Sequence, residues 1–239
     1  MSEVRNTPQL PGSLTLPSAV PGQENRTAIS RARWLEVQDE LLRGITHALS
    51  NRIATISAAA YMLEHEDVTC HQAAESLRLE TGRMDALLQL LRLLPSRDDT
   101  SFEPIAPRDL VDEAVAMHAH HCDFRDVAVA VQADADVLPV WVEPHAMMQA
   151  LLLGLTAAKR AAFPNMVGVT LRLHGDGEAV RVSVSPDDGA AVVDATRTAI
   201  DAAAGDSCLR TAHGRMTPRP DGGCDLMLPS LPAVRRAGR

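Results

Sequence analysis

The sequence predicts an α+β protein, with an N-terminal antiparallel helical hairpin that pairs with a second copy as a four-helix bundle. A C-terminal two-layer α/β sandwich follows. Three observations lead there. Apolar residues recur at Leu42, Ile45, Leu49, Ile53, Ile56, Ala60 and Leu63, in the alternating steps of three and four that mark a helix seam packed on other helices. A second such run carries Leu77, Met84, Leu87, Leu91 and Leu94 and stops at Pro95. Beyond about residue 107 helical runs alternate with short strand-like segments, the pattern of a layered α/β unit.

The elements follow in order. Residues 1–26 carry Pro8, Pro11, Pro17 and Pro21 among small polar residues, the composition of a disordered arm, with a docking peptide as the alternative. The hairpin occupies 27–95, with a short break near Asp67–Thr69. A hairpin alone leaves half of its seam wet, and a second copy covers it, so a homodimer is expected. Residues 96–107 read as a linker. In 108–232 the pattern predicts helices over Arg108–His121 and Glu143–Phe163, and strands over Val127–Gln132, Val137–Val142, Val167–His174 and Ala179–Ser185. The last two strands flank Gly175-Asp176-Gly177, a hairpin turn. A helix over Ala190–Ala204 and two closing strands, Leu209–Thr217 and Cys224–Leu228, complete the sandwich. The tail, 233–239, is basic and expected to be loose.

Composition narrows the function. Apolar residues make up 46% of the 239 and aromatic ones only 3%, so the core is built from Ala, Leu and Val. A net charge of −8 argues against nucleic acid as the main partner, since phosphate binding needs a basic face. The four cysteines, Cys70, Cys122, Cys208 and Cys224, are scattered without metal-type spacing, as in a reduced, cytoplasmic protein. No run approaches the roughly 18 apolar residues of a membrane span and no apolar leader core is seen. The expectation is a protein without a membrane partner and without a sensor of its own.

The candidate site lies in the first helix. His47 is two residues from both Ile45 and Leu49, roughly 200° of rotation, so its ring points off the seam and towards water. Asn51 is one turn further along the same face. Arg43 and Arg52 lie roughly a turn away on either side and by themselves read as plain solvated residues. His118, His120, His121 and Cys122 suggest a metal, but no second ligand cluster accompanies them, and a helix C-terminus favours histidine on its own. Met147, Met148 and Trp141 read as core.

These residues resemble the transmitter region of bacterial histidine kinases. His47-Ala48-Leu49-Ser50-Asn51-Arg52 resembles the H-box of the dimerisation (DHp) helix. Val142-Glu143-Pro144-His145 with Gln149-Ala150-Leu151-Leu152 is similar to the start of the N-box helix. His213-Gly214-Arg215-Met216, Gly222-Gly223 and Leu226-Met227-Leu228-Pro229 are similar to the closing strands. The likeness runs over about residues 30–232. It implies that 27–95 is a DHp-like hairpin and that 108–232 takes the ATPase (Bergerat) fold of these kinases.

The departures are as informative. The position matching the family's magnesium-holding asparagine is Ala157, which offers a hard cation no oxygen. Near the family's adenine-reading aspartate stand Pro186, Asp187, Asp188 and Gly189, without a second glycine. Ala190–Ala204 replaces the glycine-rich lid, and no phosphate cradle is recognisable. The acid that follows the histidine in many kinases is Ala48. A kept histidine beside a degenerate nucleotide domain resembles the dimeric histidine phosphotransferases of bacterial phosphorelays.

That resemblance implies a phosphorelay role. His47 accepts a phosphoryl group from an aspartate of one response-regulator receiver, that of a hybrid kinase included, and passes it to another. No cofactor is stably bound and the receiver supplies Mg²⁺. Asn51 orients the phosphoryl group or a water, and Arg43 and Arg52 are candidates to steady phosphate charge. The alternatives are an atypical active histidine kinase, a non-catalytic dimeric adaptor, and a response-regulator phosphatase using Asn51.

Overall fold

The structure is a computed structural model, and it describes residues 23–65, 69–94, 101–188 and 194–237. Most of the expected arm and the first five residues of the expected linker lie outside these residues.

Helix α1 (Gln23–Glu64) starts four residues before the expected boundary and is 42 residues long. Helix α2 (Cys70–Leu93) opens on a capping box, in which Thr69 accepts from the Gln72 amide and Gln72 reaches back to the Thr69 amide. Arg52 on α1 meets Glu80 on α2 at 3.1 Å. The two residues are nearly equidistant from the link, so the helices run antiparallel.

The α/β part forms two layers. Five strands pair in the order β2 (Val129–Ala133), β4 (Val169–Gly175), β5 (Ala179–Pro186), β7 (Cys224–Pro229) and β6 (Arg215–Pro218). β2 and β4 are parallel and the other neighbours antiparallel. Alternation sorts the side chains. Val169, Leu171, Leu173, Val182, Val184 and Leu226 are fully buried, while Arg172, His174, Arg181 and Met227 face out. Helices α3 (Pro107–His118), α4 (Pro144–Ala162) and α5 (Ala195–Leu209) cover the buried face, with α4 between the other two. From Ala146 to Ala162 only Gln149 and Arg160 are not buried, which makes α4 the centre of the core and places Met147 and Met148 in it. The α+β class read from the sequence is the class observed.

Several expectations need correction. The linker contains strand β1 (Glu103–Ile105), which pairs with β3 (Val140–Val142) in a separate two-stranded sheet. The expected strand from Leu209 is the end of α5 and a 3₁₀ turn, Arg210–Ala212, with strand pairing only from Arg215. The tail is helical in part, as α6 (Leu231–Ala237), anchored where the Ser230 amide bonds the Glu178 carbonyl at 2.8 Å. Trp141 is 36% exposed rather than core, because β3 buries Val140 and Val142 and turns the residue between them outward.

Within one chain the expected seam of α1 is only partly covered: Ile45 is fully buried, whereas Ile53 is 53% and Leu63 38% exposed. The sequence reading missed a second stripe, Trp34, Val37, Leu41 and Ile45, which is buried towards the α/β domain because α1 packs against α5 and α4 as well as α2. Asp201, fully buried on α5, receives Arg33 of α1 at 2.5 Å and Arg160 of α4 at 2.8 Å. His121, after α3, meets Glu40 of α1 at 3.0 Å. Gly44 is the single glycine of α1, and a Cβ built there would stand 1.5 Å from the His120 carbonyl oxygen. A mid-helix glycine costs about 1 kcal/mol relative to alanine, and here it permits backbone to lie on backbone.

Removing one partner of a buried ion pair strands the other charge. Asp201→Ala is therefore expected to lose about 3 kcal/mol of unfolding free energy in urea denaturation. A loss below about 1 kcal/mol would show that Arg33 and Arg160 find water instead.

Candidate functional site

His47 and Asn51 are both exposed on α1, one turn apart. The Asn51 Nδ2 lies 3.3 Å from the His47 Nε2. A carboxamide nitrogen only donates, so Nε2 accepts and holds the lone pair. The contact is long and solvent-facing, and an incoming group displaces it easily. The arrangement presents an unencumbered imidazole nitrogen with an amide beside it. The ring shares a helix face with Arg33, Glu40 and Gly44, seven and four residues apart and three before the histidine. Those three touch the α/β domain, and His47 is the first residue of the face beyond it.

The two candidate arginines are already paired. Arg43 sits 2.5 Å from Asp39, with both side chains mostly exposed, a contact worth little. Arg52 binds Glu80, which Arg83 also holds at 2.6 Å. Glu80 is only 5% exposed, so Arg52 serves to join α1 to α2. Ala48 is half-buried beside the ring and brings no acid.

His118 and His121 fill the junction between α1, α3 and α4. The Thr156 hydroxyl donates to the Leu152 carbonyl at 2.8 Å, so it accepts from His118 Nε2 at 3.1 Å. His118 is fully buried, its Nδ1 has no hydrogen-bond partner among the described residues, and burial holds its pKa well below the usual imidazole value. His121 accepts the Asp123 amide at Nδ1 and gives Nε2 to Glu40. That hydrogen bond keeps the Glu40 carboxyl below the usual range. His121, Cys122 and Asp123 place ligand-type atoms within 4.8 Å of one another, but both ring nitrogens of His121 are engaged. The rings of His118, His121 and Phe124 stack at 4.8 Å spacings. These side chains are packing and hydrogen-bonding groups of the domain junction.

The residues where a kinase of the resembled family holds Mg-nucleotide do not fit that group. Ala157 is buried and has no oxygen. Its neighbour Thr156 is committed to Leu152 and His118, and Lys159 donates to the Phe124 carbonyl at 3.3 Å from a side chain 1% exposed. Asp187 accepts from Thr170 at 2.8 Å. Gly189 and the first four residues of the lid segment lie outside the described residues, and from Ala195 the segment is helix α5. A cleft of about 690 Å³ between α5 and β6, lined by Asp206, Arg210, His213 and Arg215 among others, has no residue of α4 in its wall.

No protein-family model and no curated protein matches the chain. Among solved structures it is similar to the Acinetobacter baumannii histidine kinase AdeS, at 12% identity over 77% of this chain and 96% of that one, with a TM-score of 0.40. It is similar to a histidine kinase from Burkholderia phymatum, at 18% identity over 83% and 97%, TM-score 0.41. A bacterial phosphotransferase shares 16% identity over 82% and 96%, TM-score 0.41. Likenesses this distant transfer no residue roles. No helix among the described residues is long and apolar enough to cross a membrane.

The sequence reading placed His47 and Asn51 together on open surface, where the structure has them. It missed Gly44, Glu40 and His121 as the joint that fixes what lies beside them. A lone glycine inside a 42-residue helix is the feature that marks a close approach.

Burial lowers the Lys159 pKa from 10.5 to about 8. Between those values the unfolded chain keeps a proton that the folded chain has lost, so stability rises with pH across about pH 8 to 10.5. Below pH 8 both states hold the proton and the burial penalty is constant. The wild type is expected to gain about 1 to 3 kcal/mol across that window relative to Lys159→Met. Parallel stability curves for the two proteins would refute it.

Proposed function

We propose that the protein is a histidine phosphotransferase of a two-component phosphorelay, working through His47 and without ATP. The observation that carries the reading is the pairing of a solvent-facing imidazole, its Nε2 lone pair steadied by Asn51, with a domain whose α4 polar groups are already satisfied from within.

The chemistry needs little from this chain. The Nε2 lone pair attacks the phosphorus of an aspartyl-phosphate on a receiver domain. The N–P bond forms as the P–O bond to the aspartate breaks, and the aspartate leaves as a carboxylate. The receiver supplies Mg²⁺, which offsets phosphate charge during the in-line transfer. Asn51 swings from the ring nitrogen to a phosphoryl oxygen. The reverse sequence, on a second receiver, returns the imidazole. Two protomers joined along the hairpins form the working unit. Ile53, Tyr61, Leu63 and Leu79, exposed on α1 and α2, are the surface a second copy covers.

The test uses purified protein and radiolabelled aspartyl-phosphorylated receivers. Wild type takes label, His47→Gln takes none, and Asn51→Ala is slowed about tenfold. Label uptake by His47→Gln at the wild-type rate would overturn the assignment. A receiver dephosphorylated as fast by His47→Gln as by wild type, but not by Asn51→Ala, would favour a phosphatase.

A further inference from the structure

We propose that Gly44 is a positioning residue for transfer at His47, acting with Glu40 to hold the turn after α3 beside the imidazole. The proposal rests on the phosphotransfer role of His47.

Five residues share one face of α1: Arg33, Glu40, Gly44, His47 and Asn51. The first three are taken by the α/β domain, through Asp201, His121 and the His120 carbonyl. The last two are exposed. The boundary falls between Gly44 and His47, three residues or about 4.5 Å of helix rise. A partner that reaches the imidazole therefore meets the turn after α3 in the same engagement.

The contact at Gly44 is backbone against backbone. An added Cβ would lie 1.5 Å from the His120 carbonyl oxygen and 2.7 Å from its carbon. No rotamer change relieves that overlap, because neither atom belongs to a side chain, so the turn or the helix must move. The other contacts on this face are made by side chains that adjust. Gly44 therefore sets the closest approach on this face, and it stands in the turn of α1 next to the reacting group. General packing would not require the one glycine of a 42-residue helix to sit there.

The test combines three readouts on Gly44→Ala in the full chain. Hydrogen exchange over residues 118–126 is expected to rise, with α2 unchanged. The rate of phosphoryl transfer from an aspartyl-phosphorylated receiver is expected to fall about tenfold or more, as for a partner misplaced by a fraction of an ångström to an ångström. Labelling of His47 by phosphoramidate, a small donor that needs no docking, is expected to stay within about twofold. Faster exchange with receiver transfer still within about twofold of wild type would overturn the proposal. So would unchanged exchange, or an equal fall with both donors. Should Gly44→Ala fail to fold, Glu40→Ala removes the neighbouring contact without overlap and is expected to show the same divergence between donors, at about threefold. Wild-type protein that takes no label from any receiver would instead refute the phosphotransfer reading itself.

Discussion

A single buried carboxylate, Asp201, decides how the two halves of this protein meet. It sits on α5 with Arg33 of the long first helix on one side and Arg160 of the central core helix on the other. Three elements far apart in sequence converge on one charge that has no access to water. Glu36 also holds Arg33, at 2.7 Å, so two guanidinium groups meet two carboxylates, and Arg33 keeps one nitrogen without a partner among the described residues. Such a site contributes specificity of arrangement more than net stability. Once Arg33 is fixed, helix geometry fixes the direction of every residue further along α1.

The same helix thus does two jobs. Its first half is a core helix of the α/β unit, through Trp34, Val37, Leu41 and Ile45. Beyond Leu49 it runs along α2, and the apolar residues there stay largely open. The imidazole stands where one job gives way to the other. A mobile catalytic lobe would need freedom from the histidine helix. Here the lobe is fastened to it at Asp201, at Glu40 and His121, and at Gly44. In the proposed function the fastened lobe is a fixed wall for a visiting domain.

Much of this was legible in the sequence, for physical reasons. Periodicities of 3.6 and 2 find helices and strands that bury one face, so α2, α4, β4, β5 and β7 stood out. They fail where burial is decided by what packs on the element from outside. The α1 bundle seam stood out because its apolar steps are regular, but the stripe that meets the α/β domain did not. The structure buries that stripe, since Trp34, Val37 and Leu41 answer to a domain that begins some 70 residues later in the chain. Strand β1 was unreadable because three residues pairing with three carry no period. Trp141 misled because an aromatic on a strand reads as core even when the strand turns it outward. At the site, the outward ring of His47 followed from its place between Ile45 and Leu49. The joint made by Glu40, Gly44 and His121 spans 81 residues of sequence, and only the fold brings it together.

The central claim is that this histidine takes phosphate from proteins and not from nucleotide. The most direct measurement offers the purified protein two donors in turn, Mg-ATP and aspartyl-phosphorylated receiver domains, and maps phosphohistidine by mass spectrometry. The expected result is modification at His47 with the receivers and none with Mg-ATP. Phosphohistidine at His47 from Mg-ATP alone would contradict it.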